Sequence, residues 1–69
     1  MSDHTYQKIE IVGSSSTSIE DAIQGAVARA AKMHGNMNWF EVVETRGHIS
    51  NGQVAHYQVV LKVGFRLED

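Results

Sequence analysis

Three side chains in this sequence have the chemistry to hold a flat ring with a polar edge. Trp39 is the only tryptophan. It reads as a core or interface aromatic, or as a plate on which an aromatic ligand stacks. Gln58 carries amide donors and an acceptor side by side, which matches a ring edge with adjacent N–H and C=O groups, as flavins and pyrimidines have. The other reading of Gln58 is a glutamine satisfied across a subunit interface. Arg46 has a permanent positive charge suited to a phosphate or a ribityl chain, or it forms a surface ion pair with Glu44 or Glu68. Arg29, Lys32 and Arg66 read as solvated side chains, with a second anion site at a subunit junction as the alternative.

Catalytic chemistry has little to work with. The chain has no cysteine and no Gly-x-Ser-x-Gly elbow. Neither a Gly-x-Gly-x-x-Gly fingerprint nor a Walker A sequence is present. Of the histidines, His4, His34, His48 and His56 match no familiar metal spacing. Net charge is −2, without the basic stripe that a nucleic-acid backbone requires. No apolar run approaches the roughly 18 residues that span a bilayer. The first residues lack the charged and apolar regions of a signal peptide, so a cytoplasmic protein is expected.

Four elements must position these residues. Tyr6 to Gly13 alternates Ile9 and Ile11 against Lys8 and Glu10, the period of a strand. Ser14 to Ser18 is a polar run whose last residue suits a helix N-cap, followed by Glu20 and Asp21 at the positive end of the helix dipole. From Ile19 to about His34, the residues Ile19, Ala22, Ile23, Ala26, Val27, Ala30 and Met33 form one apolar stripe. Its alanines let the helix approach a sheet closely, and Gly35 is the natural stop. Trp39 to Ser50 and Gln53 to Leu67 flank Asn51-Gly52, the strongest short-range signal for a type I′ hairpin.

The order β–α–β–β, with a crossover helix between the first two strands, predicts an α+β fold. A three-stranded antiparallel sheet, in the order 1–3–2, wraps around one helix as a single domain over residues 1–69. Counting back from the turn pairs Ile49 with Val54, Thr45 with Gln58, Val43 with Val60, and Trp39 with Gly64. Tyr57, Val59, Leu61, Val63, Phe65 and Leu67, joined by Phe40 and Val42, then face the helix. Trp39, Glu41, Val43, Thr45 and Ile49 lie on the opposite face, which one helix cannot cover. An uncovered apolar surface marks an interface or a ligand site. At 69 residues, without disulfides, oligomerisation is the expected source of extra stability.

In this register Arg46 points to the helix side, although a bulge at the neighbouring Gly47 could re-aim it. His48 and His56 fall on opposite faces. Trp39 and Gln58 share a face but stand about 20 Å apart along the strand, so one ring would reach both only across a symmetry axis.

The segments Asn38-Trp39-Phe40-Glu41-Val42, Arg46-Gly47, Gln58-Val59 and Val63-Gly64-Phe65-Arg66-Leu67-Glu68 resemble the bacterial dodecins. Glu10-Ile11-Val12-Gly13-Ser14-Ser15 and Ala22-Ile23-Gln24 fit the same pattern, so the resemblance covers nearly the whole chain. It implies a hollow homododecamer that binds flavin, FMN or riboflavin, in pairs at two-fold axes. It implies that Trp39 stacks on the isoalloxazine, Gln58 bonds the pyrimidine edge and Arg46 meets the ligand's tail or phosphate. Coenzyme A near three-fold axes is a further implication, with Arg29 and Arg66 as its contacts. Gln7 departs from this pattern, since some members carry a basic residue there. The implied role is flavin storage and photoprotection without catalysis, the indole quenching the excited ring by electron donation. The competing readings are a small cofactor-free enzyme on a dimeric α+β sheet, and a purely structural shell in which Trp39 seals an interface.

Overall fold

A computed structural model of the chain describes residues 3–67. Strand β1 runs Tyr6–Ser15, helix α1 Ile19–His34, strand β2 Trp39–Ser50 and strand β3 Gln53–Arg66. The sheet is antiparallel throughout, in the order β1-β3-β2, as the element order predicts. Strand β1 is two residues longer than expected. Ser14 and Ser15 remain paired with Gln58 and Tyr57. The buried Ser15 hydroxyl then organises the turn into the helix. It donates to Asp21 Oδ2 at 2.7 Å and accepts from the Thr17 N–H at 2.9 Å. Ser18 caps α1 by accepting from the Asp21 N–H at 3.0 Å.

At the far end, Gly35 takes φ 73° and its N–H returns to the Ala31 carbonyl. Asn51 and Gly52, at φ 54° and 72°, make the tight hairpin turn that the Asn-Gly pair favours.

The core is thin. Ala22 and Ala26 of α1 lie against Val59 and Leu61 of β3, with Ile11, Ile23 and Val27 around them. Small residues let the backbones come close: a Cβ at Gly13 would stand 2.5 Å from the Ala22 carbonyl oxygen and 2.8 Å from the Ala26 Cβ. Gly13→Ala therefore forces helix and strand apart, an overpacking cost of about 1–3 kcal/mol. A lowered denaturant midpoint is the expected measurement.

The helix packs on β1 and β3 and leaves β2 largely uncovered. Phe40 and Val42 point to the helix side as expected, yet each is 47% exposed. Met33 also leaves the apolar stripe for solvent. Every residue of β2 is exposed. The shape carries the same message. A compact chain of this length has a radius of gyration of about 11 Å, whereas this one measures 14.5 Å with extents of 57 × 20 × 13 Å. A long ribbon projects past the helix with both its faces bare.

Candidate functional site

The register between β2 and β3 differs from simple counting in its middle. Ser50↔Gln53 and Ile49↔Val54 pair as expected, and so does Trp39↔Gly64. Between them, Ala55 is an extra residue on β3 and Val43 an extra residue on β2. These two bulges cancel at the ends and shift everything between them by one position. Gln58 therefore faces Arg46, not Thr45, and Val60 faces Glu44, not Val43. A one-residue shift moves side chains to the other face, so Arg46 joins the face of Gln58 instead of pointing to the helix. Gly47 is not where the bulge lies; it pairs in register with Tyr57. The same shift sets His48 directly opposite His56, correcting the expectation that they fall on opposite faces.

The outer face thus carries two polar groups of different character. Near the hairpin, Arg46 Nη1 donates to Gln58 Oε1 at 2.7 Å, and its Nη2 donates to Glu44 Oε1 at 2.6 Å. The Arg46–Glu44 ion pair exists, but its groups are 42% and 57% exposed, so it contributes little to stability. Its effect is positional, for it holds the guanidinium over Gln58. With Oε1 engaged by Arg46, the Gln58 amide keeps its N–H donors and a second lone pair for a partner. Glu68 lies outside the described residues.

At the other end, the Trp39 indole lies across Gly64. A Cβ there would come within 2.2 Å of the indole Cζ2, so only glycine lets the ring sit flat on the strand. Tyr6, diagonal to Gly64 on β1, meets the indole edge-on at 5.3 Å between centroids. Lys8, opposite Gly64, reaches across β3 to Glu41 at 3.0 Å. Asn38 fixes the start of β2: its N–H donates to the Gly64 carbonyl and its Oδ1 accepts from the Arg66 N–H, both at 2.8 Å. Tyr6 and Asn38 were not singled out from sequence. Tyr6 becomes legible once β1 is set against β3, which carries it to within one step of Gly64.

Trp39 remains 38% exposed. It and Gln58 share the outer face, separated by the stretch from Gly64 to Gln58 on β3, about 20 Å of strand. A cleft of about 380 Å³ begins at Trp39, but it opens on the helix side, between Val27, Ala31, Phe40 and Val63. It does not extend to Gln58.

Arg29 lines a separate cleft with Ile11, Gly13 and Met33. Arg66 is at the opposite end of β1, across from Tyr6, with Nη1 3.4 Å from His4 Nε2. One chain does not bring these two arginines together. Among the described residues no three His, Cys, Asp or Glu side chains form a metal-binding group, and no helix is long and apolar enough to cross a membrane.

Fold and surface together define the class: a small α+β subunit of β-α-β-β order, with one helix on a 1-3-2 sheet and the other face open. Residues 5–68 match the dodecin family model. A dodecin of Thermus thermophilus is 55% identical over 64 residues, covering 93% of each chain. The dodecin structure from Streptomyces coelicolor superposes with a TM-score of 0.92 at 51% identity, covering 100% of this chain and 99% of that one. The dodecin from Streptomyces davaonensis gives 0.91 at 48% identity, covering 99% and 100%. The chain belongs to the dodecin family.

Proposed function

We propose that this protein sequesters flavin in a hollow homododecamer, as a cytoplasmic store that protects the ring from photochemistry and catalyses no reaction. The whole chain, residues 1–69, acts as one domain. The reading rests on one observation above the others. Two ring-binding groups, the Trp39 indole and the Arg46–Gln58 pair, occupy one open face at a spacing that no single flavin can bridge within a chain. Stacking that face on a symmetry mate brings the indole of one subunit to the amide of another.

In that arrangement the isoalloxazine lies on Trp39. Gln58 donates to and accepts from the pyrimidine edge, and Arg46 serves the ribityl chain or the phosphate of FMN. Bound flavin supplies the visible absorption and the photochemistry; the protein supplies a plate, an amide and a charge. Arg29 and Arg66, distant within one chain, are contacts for coenzyme A only if neighbouring subunits bring them together.

Titrating flavin-free protein into FMN or riboflavin tests the proposal through flavin fluorescence. Saturable quenching is expected. Gln58→Leu should weaken binding about ten-fold, equivalent to about 1.4 kcal/mol, in the range for a lost hydrogen-bond partner. Fluorescence unchanged at saturating protein overturns the proposal.

A further inference from the structure

We infer that His48 and His56 form a two-histidine chelate for a borderline divalent transition ion of the zinc type. The pair sits directly across β2 and β3 on the outer face. Its rings stand 6.2 Å apart between centroids, at an interplanar angle of 82°. Zinc–imidazole bonds of about 2.0–2.1 Å at a tetrahedral angle hold two ligating ring centres roughly 5–5.5 Å apart, so a small turn of the two rings closes the remaining gap. In the single chain both side chains are exposed, so the rings can turn a nitrogen toward a shared ion, with water or a group of the facing subunit in its other positions.

The Ala55 bulge creates the site, because uninterrupted pairing would send the two imidazoles to opposite faces. The neighbouring Arg46 guanidinium is paired with the Glu44 carboxylate, which offsets its repulsion of an incoming cation. Imidazole donors select zinc-type ions over magnesium or calcium. With only two protein ligands the site is open and exchangeable. It does not depend on flavin binding.

The test uses untagged, assembled, flavin-free protein. Calorimetry with Zn2+ should show binding that falls about ten-fold or more in His48→Thr and in His56→Thr, each of which removes one of the two protein ligands. His4→Gln and His34→Gln should bind as wild type does, and Mg2+ should give no heat. A second measurement needs no variant. Zn2+ should slow diethylpyrocarbonate modification of His48 and His56 together, read by mass spectrometry, while His4 and His34 react at unchanged rates. Zn2+ affinity as high as wild type in either threonine variant, or protection of only one or neither of the paired rings, overturns the inference.

Discussion

Trp39→Ala is expected to lose flavin affinity by roughly 5- to 150-fold, since one aromatic stacking partner is worth about 1–3 kcal/mol. It should also restore the emission of whatever flavin remains bound, because the electron donor is gone. The fold should survive. The indole lies on the sheet surface over Gly64, outside the cluster of Ala22, Ala26, Val59 and Leu61. Mass measurement of the same variant separates two roles for the ring. An assembly of unchanged mass with lost quenching assigns Trp39 to the ligand. An assembly that falls apart assigns it to the seal between subunits, and strong quenching that persists without the indole rules out the stacking role.

The second large effect concerns the core. Leu61 is fully buried on β3 against Ala22 and Ala26. Leu61→Ala should cost about 2–5 kcal/mol. A single core below roughly 70–80 residues seldom supplies more than about 3–5 kcal/mol, so this one change consumes most of what an isolated subunit has. The expected result is a folded protein only while assembled. Thermal unfolding of the variant should depend more steeply on protein concentration than that of the wild type, because the assembled state then carries nearly all the stability. A variant that melts at the wild-type temperature at every concentration contradicts this account.

Much of the architecture is legible in the residues. Ser18, the alanine stripe and Gly35 bound the helix, because capping and left-handed backbone are local demands that few residue types meet. Asn51-Gly52 fixes the hairpin for the same reason, and the crossover helix leaves little choice of strand order. The bulges are not legible. Val43 and Ala55 are ordinary strand residues, and nothing local marks either as surplus; only the fit of β2 on β3 over many residues decides it. Gly47 looks like the better candidate and is in register. The side of the sheet that Arg46 and His48 occupy was therefore out of reach, whereas Trp39 and Gly64, beyond both irregularities, pair as counting predicts. The reach of the helix was hidden for a related reason. An apolar Phe40 or Val42 looks the same to a sequence whether its own helix or another subunit covers it.

The two surplus residues have opposite senses and undo each other. Between them the hairpin behaves like a cassette slid by a single notch, with its mouth and its tip left aligned. Either residue can be deleted and the two strands still zip together with Arg46 opposite Gln58, because a surplus residue has no partner of its own. Losing both leaves continuous pairing with Arg46 still opposite Gln58 and His48 still opposite His56; only flattening the bulges with both residues kept sends Arg46 and His48 to the far side. With both residues present, the chain cannot relax one irregularity alone, because mouth and tip would then fall out of step by one place.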